Sequence, residues 1–332
     1  LPAPPGRGVD AGGAAVRQQE PVAGADQLQA GLDSGGDAAL KASQAANFDN
    51  LNKVVADTPF DRHMRFFNFG YRPLGTEAPV GPTLGRGFPN QDSAQLLFQV
   101  VGDTDLTGAD VVEVGCGRGG NLWLLRRHYR TASVTGVDIA YRSMAFAKGS
   151  IPDSDAQFTV GDAEHVPLAS GSADAVLSVE TSCTYPDIEL FFREVARLLR
   201  PGGRFLYTDL LHIDLVDPFV AVLASLGLEL DHRRDITANV AASRDARAAR
   251  QKLAYGRTPE GDETAMREFV GADGSQLYDS LTDGQHQYTI LRFHKARSVE
   301  PTAERVLDAA TRVLVREQAQ LAVDLLTIPS SQ

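Results

Sequence analysis

The chain has 332 residues, enough for one large α/β domain with attachments or for two small domains. Hydrophobic residues make up 43% and charged ones 23%, an ordinary globular composition, and the net charge of −11 gives no electrostatic reason to hold nucleic-acid phosphates. Two cysteines, Cys116 and Cys183, are too few for a disulfide framework or a thiolate metal site, and there is neither an apolar run of about 18 residues nor a signal-peptide pattern, so the expectation is a cytoplasmic protein without membrane or nucleic-acid partners.

Residues 1–36 are rich in Pro, Gly, Ala and Gln and read as a flexible linker. The start at Leu1 fits either a processed or tagged start or a domain cut from a larger protein, and the linker composition favours the second. Residues 37–90 read as a helical cap: "DAALKASQAANFDNLNKVVA" has helical composition, and "TPFDRHMRFFNFGYRP" at 58–73 is unusually aromatic. A helix is predicted over 90–102, capped by Asp92 or Ser93 and ended by Gly102. From Asp110 apolar strands alternate with helices, with strands at 110–115, 133–139, 156–160, 173–180 and 203–210. A helix around 217–227 and a strand around 228–234 continue the pattern. Such near-continuous apolar strands argue for a parallel sheet covered on both faces. Residues 238–286 break the rhythm as a polar, mostly helical insertion, and 287–296 alternates like a final strand. An amphipathic helix is predicted over 301–326, with Val306, Ala310, Val313, Leu314 and Leu321 along one side.

"VVEVGCGRGGN" at 111–121 joins a strand to a helix through glycines. This places backbone N–H groups at the carboxyl edge of the sheet, where open α/β sheets bind ligands. Gly115, Gly117 and Gly120 also satisfy the dinucleotide fingerprint, with Asp138 ending the next strand, so the loop alone does not separate nicotinamide cofactors from other adenosine ligands. Glu113, two residues before Gly115, would repel a pyrophosphate but suits a ligand carrying an ammonium group. Asp162 and the Ala163 backbone follow the third strand and can reach an adenine amino edge.

Together with "LLRPGGRFLYTD" at 198–209, these motifs resemble the class I S-adenosylmethionine-dependent methyltransferases over about 91–297. The resemblance implies a Rossmann-like α/β core with a seven-stranded, mostly parallel sheet whose last strand is antiparallel. The chain is then expected to comprise a helical cap at 37–90, the core at 91–297 with the 238–286 insertion forming a lid with the cap, and a C-terminal helix and linker at 298–332. The resemblance implies S-adenosyl-L-methionine as cofactor, with its methionine end across Gly115 and Gly117, its ribose on Asp138 and its adenine against Ile139, Asp162 and Ala163. "FFNFGY" at 66–71 and "SVETSCTYPD" at 178–187 look like the small-molecule and lipid O-methyltransferases, which implies a lid role for Phe69 and Tyr71. Many such relatives carry a His three residues after the glutamate that ends strand four; here that position is Cys183.

Methylating an alcohol requires a base for its proton, and a His suits the task when oriented by a carboxylate. His212, at the carboxyl edge after strand five, is the favoured base, with Glu180 as its orienter or as a ligand of the acceptor hydroxyl. His286 is the rival base, and Asp209 is a second possible orienter. Clustered carboxylates for a metal are not evident. The expectation is an O-methyltransferase domain of a modular polyketide synthase, acting on an acyl chain tethered to an acyl carrier protein. The alternatives are a stand-alone small-molecule or fatty-acid O-methyltransferase and a C-methyltransferase.

Overall fold

The computed structural model describes residues 37–56, 61–85, 87–255, 263–299 and 304–327. The linker reading of 1–36 lies outside them. Helix α1 (Ala38–Ala56) and a short 3₁₀ turn (Asp61–His63) form the cap, followed by α2 (Gln91–Val101). The core runs β1 (Asp110–Val114), α3 (Gly120–His128), β2 (Ser133–Asp138), α4 (Tyr141–Ser150), β3 (Ala156–Val160), β4 (Ala173–Val179) and α5 (Ile188–Leu198). It continues through β5 (Leu199–His212), α6 (Ile213–Ser225) and β6 (Leu228–Asp235). The insertion holds α7 (Thr237–Tyr255), α8 (Glu263–Phe269) and α9 (Gln276–Asp279), and β7 (His286–Lys295) and α10 (Ala309–Leu325) close the chain.

The seven strands are ordered β3-β2-β1-β4-β5-β7-β6, with β7 antiparallel to both its neighbours. Successive side chains of each strand serve opposite faces. Val111, Ala175 and Leu206 pack with α2 and α3, while Val112, Val176 and Phe205 pack with α5 and α6. Both faces are thereby covered, which is why the strands lack polar alternation. The carboxyl ends of β1, β2, β4 and β5 and the amino end of antiparallel β7 share one edge, with His212 paired to His286 across β5 and β7.

Three local expectations need correction. Asn90, not Asp92 or Ser93, is the N-cap residue of α2, and it makes no side-chain cap bond. Helix α6 begins at Ile213, four residues before the predicted start, because the His212 side chain caps it by accepting the Asp214 N–H. Helix α10 begins at Ala309, and Val306, Val313 and Leu321 are exposed; its core-facing residues are Val315, Ala319 and Val323, spaced by four.

Candidate active site

β1 leads into the loop at 115–119, and α3 starts at Gly120. Gly115 (φ +72°) and Gly117 (φ +50°) take backbone conformations that side-chain-bearing residues rarely adopt. Asp138 braces the loop, accepting the Gly117 N–H at 2.7 Å and the Ala140 N–H at 2.9 Å, and burial pushes its carboxyl up to about 6. Gly115, Gly117, Asp138, Ile139, Asp162 and Ala163 all line one cavity of about 850 Å³, mouth included. Gln44 and Phe48 of α1 and Phe66 and Phe67 of the aromatic segment form its other wall. The cap is tied down by Arg118, whose guanidinium lies 3.5 Å from the centre of the Phe146 ring, pairs with Asp61 and donates to the Met64 carbonyl. Lys41 of α1 pairs with Asp162 at 2.7 Å and Glu164 at 2.5 Å, so the adenine end expected from the sequence is also a cap anchor. Neither Lys41 nor Arg118 is recognisable from sequence, because their partners lie 121 and 57 residues away.

Glu113 does not line this cavity; it stands behind the loop. It is 1% exposed, Oε1 accepts from Asn121 at 2.7 Å, and Oε2 has no protein partner. Burial pushes its carboxyl from 4.5 up to about 8. An acid whose folded pKa lies above its unfolded value binds its proton more tightly when folded. Its contribution to stability is therefore complete below the unfolded value of 4.5 and is lost as pH rises through about 8. Thermal denaturation should show Glu113→Gln matching the wild type near about pH 5 and surpassing it above about pH 8. Parallel melting profiles across that range would show that burial does not hold the proton on Glu113.

A second, mostly apolar cavity of about 1460 Å³, mouth included, shares Phe48, Phe67 and Glu180 with the first. Glu180 follows β4 in a left-handed conformation (φ +51°). Its carboxylate accepts the Phe69 N–H at 2.7 and 2.9 Å and the Tyr288 hydroxyl, and burial pushes it up to about 7. Phe69 lines this second cavity. Tyr71 lines neither: its fully buried ring joins the core, and its hydroxyl meets Glu77 at 2.8 Å and Arg234 at 2.9 Å, so the expectation that Tyr71 serves in a lid over the cofactor is corrected.

The histidine in this cavity wall is His286, not His212. His286 Nδ1 lies 2.6 Å from Asp283 Oδ2, while Asp283 Oδ1 accepts the backbone N–H groups of Gln285 and His286 at 2.7 and 3.0 Å. Burial alone would raise the Asp283 carboxyl, but these donors hold it below its ordinary range. A carboxylate on Nδ1 fixes that nitrogen as the donor and leaves Nε2 as the proton acceptor. His212 is spent on capping α6, with Nδ1 3.3 Å from the Asp214 N and the ring edge-on to His286 at 5.5 Å between centres. Glu180 therefore does not orient His212 through any hydrogen bond, and its position suits contact with ligands at the junction of the cavities. Asp209 is taken by Ser182 Oγ at 2.8 Å and the Cys183 N–H at 3.0 Å, which shapes the turn after β4. Cys183 lines the same cavity wall.

Residues 112–207 match the family model described as "Methyltransferase domain". The chain is 39% identical over 150 residues to a fatty-acid O-methyltransferase of Mycolicibacterium smegmatis, an alignment covering 45% of this chain and 54% of that enzyme. It is 35% identical over 208 residues to a phthiotriol/phenolphthiotriol dimycocerosates methyltransferase of Mycobacterium tuberculosis, covering 62% of this chain and 77% of that enzyme. The fold is shared with geranyl diphosphate C-methyltransferase from Streptomyces coelicolor, at a TM-score of 0.56 and 16% identity over 77% of this chain and 97% of that one. The [4+2]-cyclase SpnF shares it too, at a TM-score of 0.57 and 19% identity over 77% of this chain and 95% of that one. Among the described residues no helix is long and apolar enough to cross a membrane. The glycine loop, the strand order and these relatives agree, and the chain belongs to the class I S-adenosylmethionine-dependent methyltransferases.

Proposed function

We propose that the protein methylates an oxygen on an acceptor with a large apolar body, with His286 as general base. The observation that carries this reading is the His286–Asp283 pair in the wall of an apolar cavity that meets the glycine-loop cavity at Glu180. The glycine-loop cavity fits the family cofactor. Its loop backbone carries no side chains at Gly115 and Gly117, and Asp138 and Asp162 stand at the neighbouring strand ends. Asp138 would take the ribose, and Ile139, Asp162 and Ala163 the adenine. When bound, S-adenosylmethionine supplies an electrophilic methyl group on a sulfonium.

The chain's own residues prepare the acceptor. Phe48 and Phe67, shared by both cavities, restrict water at the junction, which favours displacement at a charged sulfur. Asp283 holds the His286 ring with Nε2 free to accept the acceptor's hydroxyl proton as oxygen bonds to carbon. Glu180, at the junction, is placed to contact the acceptor hydroxyl or the cofactor.

The fatty-acid and phthiotriol relatives favour a free lipid acceptor over a carrier-bound one. The narrower reading, a polyketide synthase domain acting on a chain tethered to an acyl carrier protein, rests on the linker-like composition of 1–36 and on the sequence resemblance. Supplying labelled cofactor with free long-chain hydroxy acids, and separately with the same chains on a carrier protein, distinguishes them. The expected product is an O-methyl group on the free lipid. A methyl found on carbon would overturn O-methylation, and product from the tethered chain alone would establish the carrier reading.

A further inference from the structure

Helix α10 carries two adjacent apolar stripes. One, Val315, Ala319 and Val323, is buried in the core. The other, Leu321, Ala322 and Leu325 with the adjoining Leu326, recurs at helical spacing and lines the second cavity together with Gln318. Gln318 lies at the base end: its Oε1 accepts the His212 N–H at 3.0 Å and its Nε2 donates to the Leu210 carbonyl at 3.4 Å. The far end is held to the cap, where Asn47 of α1 donates to the Val323 carbonyl at 2.9 Å. The stripe from 318 to 326 thus runs about 12 Å from the base toward the cofactor lid. Leu321 is 49% exposed although it faces the cavity, which puts an apolar side chain at the mouth. None of these residues falls within the matched stretch 112–207.

We infer that α10 is the rail on which the acceptor's aliphatic tail lies, and that Leu321 and Leu325 set how much of that tail the protein recognises. The inference rests on the proposed lipid acceptor. It adds the residues that measure the tail. Water is displaced from both surfaces as each methylene settles on the rail, so affinity climbs with chain length until the tail runs off the rail. A ligand of the same headgroup and shorter tail gains nothing from the outer part of the rail.

Calorimetry with a series of saturated 3-hydroxy fatty acids, in the presence of S-adenosylhomocysteine, tests this on the full chain without turnover. The wild type should gain up to about fourfold in affinity per added methylene over the long members of the series. Leu321→Asp, at a half-exposed position, should flatten that gain at the long end while leaving short acids and S-adenosylhomocysteine bound as before. Leu325→Trp should move the plateau to shorter chains. A wild-type series with no length dependence, or a slope unchanged in both variants, would overturn the inference. Length-dependent binding without methylation would support the rail and instead refute the proposed acceptor chemistry.

Discussion

Replacing His286 with alanine is expected to lower kcat by about 10²–10⁴-fold, the range typical of a lost general base, while S-adenosylmethionine affinity stays at the wild-type level. The separation follows from position. His286 lines the second cavity and is absent from the walls of the first. Asp283→Asn should reproduce part of the loss, because an amide holds the ring but no longer stabilises the imidazolium that forms as the proton arrives. His212→Ala, by contrast, should act mainly on stability. It removes the side chain that caps α6 and leaves the cavity wall in place. Steady-state kinetics on the two single variants decide the matter. Full activity in His286→Ala with a dead His212→Ala would reinstate His212.

Gly115→Ala should abolish cofactor binding detectable by calorimetry and cost about 3 kcal/mol of stability. A Cβ there would lie 2.1 Å from Thr181 Oγ1 and 2.6 Å from its Cβ and Cγ2, in a backbone at φ +72°. Thr181 has little freedom to yield, since its N–H is held by Asp209 at 3.1 Å and its hydroxyl by Tyr185 at 2.9 Å. Relief therefore has to come from the loop itself, which would pull the backbone out of the cavity wall. Gly117→Ala offers the contrast. Its Cβ would find only Phe67 Cδ2 at 3.6 Å, so it carries the left-handed strain of about 1–2 kcal/mol without the clash. Equal losses in the two variants would show that strain alone, and not the contact with Thr181, makes glycine necessary at 115.

The core was legible because its signals are local. Apolar strands, glycine turns and acids at strand ends occupy short windows of sequence, and the sheet order and cofactor cavity follow them closely. The choice between His212 and His286 was not local. The two residues are paired partners across β5 and β7, so both reach the same edge, and the choice turns on where each ring goes. His212 turns to the first N–H groups of α6, a role hidden by placing that helix's start near Pro218. Asp283 stands three residues before His286 in a Gly- and Asp-containing turn whose composition resembles any surface loop. Tyr71 misled for a different reason. The aromatic segment feeds both cavities and the core within six residues, and no periodicity separates Phe67 and Phe69 from a ring that packs inward. The core stripe of α10 is not separable in sequence because two apolar faces overlap on one helix, one for the core and one for the cavity.

A crystal structure with S-adenosylhomocysteine and a long-chain hydroxy acid bound together tests the account most directly. The acceptor oxygen should lie about 2.6–3.2 Å from His286 Nε2 at the junction beside Glu180, with His212 still capping its helix. An acceptor oxygen that approaches the sulfur from elsewhere, with His286 facing only the aliphatic tail, would contradict it.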